Sequence, residues 1–392
     1  MEVEKRILLF LFLSSILFGY SLTITPAYLS NIGFTPLDYG FLNAVRSAAG
    51  LVSSLAAGIF VDYIGALPVV VISLALCAAG FGSMSIPSKP LIFLGATALS
   101  LGGAAQHVSM DVLISRVFDA EHYESIYSKS YSITLVGSSI GGFAGWIPTL
   151  VSSAESLTRA YSASLALTAV LIMLTALPLS GVSEHRFGRD RVSASIMDSL
   201  KGFKELSRGT PLYLLIAELI VSMGASMSVR MAGFYFVKKF HVQSNALGTL
   251  NGATNLAMAA LAMAAPRLSA RVGHPIAAYI AMCSLSIPML VAMTYAPSFT
   301  TAAAIYISRT ALMNAAAPLY TAFTMRVVSS EVRGKMSSAM IFTSVAGAVA
   351  GSIAGGILMN IDLDAPFRAT AAVYTIYLLF LYTFIVRRKK RK

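Results

Sequence analysis

The chain has 392 residues, of which 56% are hydrophobic and only 12% charged, about half the charged fraction of a soluble globular protein. That balance excludes a water-soluble domain and points to a polytopic helical membrane protein, with roughly 33 residues for each of twelve spans against the ~20 that a bilayer crossing needs. The excess of 29 basic over 17 acidic residues, a net charge of +12, has to be read by position before it says anything about partners.

Lys5 and Arg6 precede the first apolar run, residues 7–31. No small-residue cleavage site follows it, so it is expected to be a retained helix and not a leader. Runs at 39–61, 67–86, 91–117, 125–152 and 157–179 complete a first set of six. A polar stretch with Arg186, Arg189, Arg191, Lys201, Lys204 and Arg208 comes next, and six more runs follow at 211–236, 245–268, 275–296, 299–327, 334–360 and 366–386. The expected fold class is an all-α membrane protein with twelve transmembrane helices in two six-helix, pseudo-symmetric bundles. Residues 1–180 and 211–386 form the bundles, 181–210 a cytoplasmic linker and 387–392 a basic cytoplasmic tail. With both termini in the cytoplasm, 21 basic residues fall in or within five residues of cytoplasmic segments and five in or within five residues of external ones, the asymmetry expected of a multi-pass protein in the cell membrane. The tail then reads as an orientation and headgroup anchor. Cys77 and Cys283 lie in separate apolar runs, and neither a disulfide framework nor a metal cluster follows from them.

The two halves repeat. At an offset of 210 residues Arg116, Val117 and Glu121 fall on Arg326, Val327 and Glu331, and Gly137, Gly141 and Gly145 fall without a gap on Gly347, Gly351 and Gly355. Two halves of the same polarity, related by an axis along the membrane normal, are a transporter layout. Four-residue spacing puts each glycine row on one helical face, where small residues let another backbone approach.

The segment GIFVDYIGALP, residues 58–68, resembles the loop signature of the major facilitator superfamily, with Gly58, Asp62 and Gly65 at the matching positions. Its basic positions depart from that pattern, since Tyr63, Ala66 and Leu67 stand where Arg or Lys is usual. SSEVRGKMSS, residues 329–338, resembles the loop between spans ten and eleven. The glycine row of span five resembles the antiporter signature, without its usual proline. The resemblance implies alternating access, with spans one, four, seven and ten lining the cavity.

Charged residues inside spans are costly by about 2.5 to 3.5 kcal/mol each and are functional candidates by default. Arg46, Arg230 and Arg309 lie in the outer half, roughly 9 to 15 Å deep at 1.5 Å per residue, and Asp111 and Glu218 lie in the inner half. Arg309 shares a face with Met313, Ala316 and Tyr320, and a guanidinium there suits a carboxylate or phosphate. Pairing with a buried acid is the structural alternative. Arg46 lies on a stripe with Asn43, Gly50 and Ser53, while Arg230 has the option of snorkelling to the outer interface. The expected substrate-binding set is Arg309, Arg46, Arg230, Tyr320 and Tyr28, the last on a stripe with Ser14, Phe18, Ser21 and Thr25. His107 and Asp111, four apart on span four, and Glu218, one turn from Ser222, are the proton-coupling candidates. Asp62, with Gly58 and Gly65, is expected to gate, its carboxylate capping the positive end of span eleven at Gly334 in one state.

No Gly-rich phosphate loop and no His-Glu-x-x-His helix is present in the sequence, so nucleotide drive and that metalloprotease class are not supported. A secondary active transporter, not an enzyme, is the leading reading. It needs no cofactor, and its partners are a small-molecule substrate, a proton or other coupling ion and the bilayer, with no nucleic acid and no second copy required. Three deep arginines favour a small organic anion or amphipathic metabolite. Aromatic and methionine-rich composition favours the competing reading, a multidrug-type proton antiporter. A non-transporting membrane sensor is the weaker alternative.

Overall fold

A computed structural model of the chain describes residues 2–119, 122–153, 156–184, 206, 209–272, 275–317, 320, 323–324 and 333–386. Every regular element among them is helical, as the bilayer demands of a chain whose backbone groups have no water to bond. The helices are α1 (Glu2–Asn31), α2 (Pro36–Ile64), α3 (Ala66–Met84), α4 (Lys89–Val117), α5 (Tyr123–Phe143), α6 (Leu157–Leu174), α7 (Gly209–Ser228), α8 (Ser244–Val272), α9 (Pro275–Thr294), α10 (Phe299–Ala315), α11 (Arg333–Ile361) and α12 (Ala365–Leu381). Short 3₁₀ turns carry α5 on into Ile147–Val151 and α7 on into Ala232–Phe240. Ten of these runs are long and apolar enough to cross a membrane. The other two are α8, which carries Asn245, Asn251, Asn255, Arg267 and Arg271, and α10, whose regular helix stops after 17 residues at Ala315. The expected span 299–327 is thus interrupted near Ala316, with Tyr320, Phe323 and Thr324 helical beyond it.

The chain divides into two compact units, one of Met1–Thr35, Val45–Val192 and Phe236–Asn255, the other of Pro36–Ala44, Ser193–Tyr235 and Leu256–Lys392. In the first, α1 lies along α5 and α3 along α4. The α5 glycines are what permit this. A Cβ on Gly137 would collide with the Ser15 hydroxyl, and one on Gly141 with the Ile16 carbonyl oxygen. The start of α8 also packs in this unit: the Ser244 Oγ donates to the Gly145 carbonyl at 2.6 Å, its N–H meets the Tyr161 hydroxyl at 3.3 Å, and Asn251 donates to the Thr23 Oγ at 3.1 Å.

In the second unit α7 lies along α11. Here Gly347 faces the Leu219 carbonyl, 2.6 Å from where its Cβ would stand, and Gly351 and Gly355 press on the carbonyls of Met223 and Met227. The glycine rows matched at the 210-residue offset therefore make matched helix pairs, α5 on α1 and α11 on α7. The other repeat positions, Arg326, Val327 and Glu331, lie outside the described residues, as do most of the linker and the tail. Around the α7–α11 pair an apolar core gathers Leu214, Ala217, Met282, Cys283, Met336 and Leu381 with the tyrosines Tyr279, Tyr320 and Tyr377. Both cysteines are free and buried, Cys77 in the first unit and Cys283 in the second.

Candidate functional site

Arg309 is held on α10 at 2% exposure. Its guanidinium carbon stands 5.5 Å from the centre of the Tyr374 ring on α12, and one terminal nitrogen points at the Met313 sulfur, 3.1 Å away and one turn on. The Nε is buried with no hydrogen-bond partner, and so is the Tyr374 hydroxyl. Among the described residues no carboxylate pairs with this cation. Tyr320 is buried too, its ring stacked on Tyr279 at 5.1 Å within the aromatic core of this unit.

Glu218 sits on α7 where the row of α11 passes. The Ser222 hydroxyl donates to its Oε1 at 3.1 Å and lies 2.8 Å from the Ser344 hydroxyl of α11. This places a half-buried carboxyl among hydroxyls that serve either protonation state, since a hydroxyl both donates and accepts. Ser344 was not legible as a partner, because serines are common in spans and nothing local marks this one.

In the first unit Arg46 is half-buried on α2, and its Nε reaches the Ser100 hydroxyl of α4 at 3.4 Å, a long and weak bond. His107 and Asp111 share the exposed side of α4, and no hydrogen bond joins their side chains; the Asp111 carbonyl instead accepts from the Tyr127 hydroxyl of α5 at 3.2 Å. Tyr28 is fully buried, its ring edge-on to Tyr161 and its hydroxyl accepting from Ser162 at 3.4 Å. Its place on the α1 stripe thus serves helix packing in this unit. Arg230, in the second unit, falls in the 3₁₀ turn between the two parts of α7 and is exposed.

The loop after α2 brings two carboxylates to one arginine. Asp62 is exposed and pairs within its own unit with Arg116 of α4 at 3.4 Å. The carboxylate that does cap a helix here is Glu184. Its Oε2 accepts from the Ala66 and Leu67 N–H groups at 2.8 and 3.4 Å, and its Oε1 pairs with Arg116. Gly65 makes this possible twice over. Its φ of +95° belongs to the left-handed region, and a Cβ there would come within 3.0 Å of the Glu184 carboxylate. Gly58, by contrast, faces open space. The missing basic residues of the loop leave the partner role to Arg116. Glu184 was not singled out in the sequence, its one signal being that it is the first acid after span six.

The family model of the Major Facilitator Superfamily matches residues 7–343 and, in a second alignment, 214–392. Among solved structures, the chain is similar to the nucleoside transporter NupG, at 14% identity over 99% of this chain and 100% of that one with a TM-score of 0.76. It is also similar to the xylose transporter XylE from E. coli, at 13% identity over 98% of each chain and a TM-score of 0.71. A bacterial homologue of the iron transporter ferroportin matches at 14% identity over 97% of this chain and 98% of that one, again with a TM-score of 0.71. No curated protein sequence matches. At such identities the structural likeness establishes the fold, and the family model, matched over nearly the whole chain, establishes the kinship: this multi-pass membrane protein belongs to the Major Facilitator Superfamily of transporters.

Proposed function

We propose that the protein is a secondary active transporter of a small organic anion or amphipathic metabolite, coupled to protons, working by alternating access as a monomer in the cell membrane with both termini in the cytoplasm. The observation that carries this reading is Arg309: a guanidinium at 2% exposure with a sulfur and an aromatic face for company and an unpartnered Nε. A buried charge without a counter-charge is costly, and a carboxylate or phosphate would supply the missing acceptors through two parallel hydrogen bonds. Arg46, the exposed Arg230 and Tyr320 are secondary substrate contacts in this reading, and Glu218 and the His107/Asp111 face carry protons. The similar nucleoside and xylose transporters handle small polar metabolites, which suits a substrate of that size. The exposure of Asp111 beside Tyr127 favours one competing reading, in which a lipophilic cation is exported against protons.

Purified protein screened by thermal shift against organic anions, sugar phosphates, neutral sugars and lipophilic cations separates the two. A ligand at 100 times its Kd stabilises by about 2.7 kcal/mol. Anions are expected to stabilise the wild type and not Arg309→Ala, and uptake of the same anion into proteoliposomes is expected to drop at least ~100-fold, the ~2.7 kcal/mol of a lost charge-assisted pair. Stabilisation by lipophilic cations alone, or unchanged uptake in Arg309→Ala, would sink the anion reading.

A further inference from the structure

In the second unit α9 and α12 pack against each other and leave a groove of about 390 Å³ between them, within the roughly 300–1,000 Å³ of small-molecule sites. Short side chains, Ser284 and Pro288 on α9 and Thr375 on α12, line it together with long apolar ones such as Ile280 and Leu379. Thr375 turns its hydroxyl to the Ala371 carbonyl of its own helix at 2.8 Å, so that hydroxyl asks nothing of a ligand. Ser284, Thr375, Leu379 and Tyr382 are exposed, and both helices are long and apolar enough to cross a membrane. The groove therefore opens toward lipid.

Its two ends differ. Tyr382, the lining residue nearest the C-terminus, stands two residues inside the end of the apolar span at Phe384. Around that end Tyr213 and Phe380 gather on Phe384, with ring centres 5.1 and 4.8 Å away, an aromatic cluster of the kind that marks the membrane–water interface. At the other end, Thr375 is nine residues from Phe384 and Pro288 twelve from Ile276, where the α9 span begins, or roughly 14 and 18 Å deep at 1.5 Å per residue. That depth is about half of the ~30 Å hydrocarbon core, so the groove spans one leaflet from its surface to its middle. All six residues that follow Val386, 387–392, are basic. The positive charge of the sequence thus enters at the interfacial end of an apolar slot, on whichever side of the membrane the tail lies.

We propose that this groove is a binding site for one anionic glycerophospholipid, with an acyl chain lying between α9 and α12 and the phosphate held by the basic residues 387–392. An apolar groove gives water too few partners to hold it, and a void forfeits the dispersion contacts of every atom that lines it. A flexible hydrocarbon chain one leaflet long fills the slot without leaving a polar group in the membrane. Selection among lipids then falls to the interfacial end. A cluster of basic residues beside a span attracts anionic headgroups, and the exposed Tyr382 phenol has a donor to offer a phosphate or ester oxygen. An amphiphile with an apolar length of one leaflet and a negative head matches both ends at once. The site is on the outer side of α9 and α12 and is independent of the reading of Arg309.

The test is native mass spectrometry of the full-length protein in mild detergent, given equal amounts of phosphatidylglycerol and phosphatidylcholine with the same acyl chains. The wild type is expected to retain one phosphatidylglycerol, preferred over phosphatidylcholine by about tenfold or more. Ser284→Phe on α9 and Thr375→Phe on α12 fill the groove from either side and are each expected to lose most of the bound lipid. Leu285→Phe adds bulk at the neighbouring exposed position outside the lining and is expected to bind like the wild type. Replacing residues 387–392 with Gln is expected to abolish the preference for the anionic lipid. Equal retention of the two lipids by the wild type overturns the proposal. Wild-type binding in both groove variants, or an equal loss in Leu285→Phe, would place the lipid elsewhere. A preference that survives the Gln tail would remove the basic residues from the site. A wild-type dimer that Ser284→Phe dissolves would give the groove to a second copy of the chain and likewise overturn the lipid.

Discussion

Glu184 and Asp62 meet the same arginine, and their surroundings decide how much each is worth. Asp62 has a side chain 58% exposed and a single 3.4 Å contact with Arg116, the kind of surface pair that contributes about 0 to 1 kcal/mol. Glu184 is 9% exposed and closes two backbone N–H groups at the start of α3 as well as pairing with Arg116. Loss of a helix cap costs about 0.5–2 kcal/mol, and loss of a hydrogen-bonded buried partner adds to it. Glu184→Ala is therefore expected to lower the thermal midpoint in detergent by several degrees, while Asp62→Asn leaves it nearly unchanged; equal effects would show that the cap is not what holds α3. Tyr28→Phe should leave ligand stabilisation intact, because its hydroxyl faces Ser162 inside the helix pack; a lost ligand shift in that variant would return Tyr28 to the binding site. Sequence reasoning found the arginines and acids because charge in an apolar run is visible one residue at a time. It could not pair Glu184 with α3, or Tyr279 with Tyr377, because those partners are 118 and 98 residues apart and only the folded bundle brings them together.

At the level of helices, the two glycine rows were legible as rows from their four-residue spacing, and their match at one offset foretold that they do the same job. What the spacing did not reveal was the partner, since a small face accepts any neighbour; the structure pairs α5 with α1 and α11 with α7. A methyl group on Gly141 or Gly351 has backbone oxygen in its way, which cannot move without parting the helices, and overpacking of this sort costs about 1–3 kcal/mol. Gly141→Ala and Gly351→Ala are expected to destabilise by that amount in thermal or denaturant unfolding. Gly58→Ala is the control: nothing lies within 4 Å of the added carbon, and alanine in a helix gains about 0.5–1 kcal/mol over glycine. If Gly58→Ala nevertheless stops transport without loss of stability, its role belongs to another state of the cycle. The turn at Ala316 that ends the regular part of α10 was not legible in sequence, because hydropathy registers the solvent and is blind to local backbone geometry.

For the molecule as a whole, composition settled membrane class before any residue was placed, because a bilayer leaves the backbone so few options. Orientation is a separate matter, for which the sequence offers the expected split of 21 basic residues beside the segments read as cytoplasmic and five beside those read as external. A fluorescent protein fused after Lys392 is expected to fluoresce in intact cells, and alkaline phosphatase at the same point to be inactive; the reverse pattern would invert the assignment and with it the depth order of the arginines and acids. Substrate identity was beyond reach of the sequence, since how Arg309, Tyr374 and Met313 converge is set by the folded helices and not by their spacing. The Glu184 cap finally bears on how this chain could be divided. A gene cut after codon 184 yields a first fragment that carries its own plug for α3 and retains the Arg6 clasp on the Ser180 carbonyl, whereas a cut after codon 179 strands both on the second fragment. Co-expressed halves from the first cut should reassemble in higher yield than those from the second, which makes the true seam between the halves lie several residues past the end of the sixth helix.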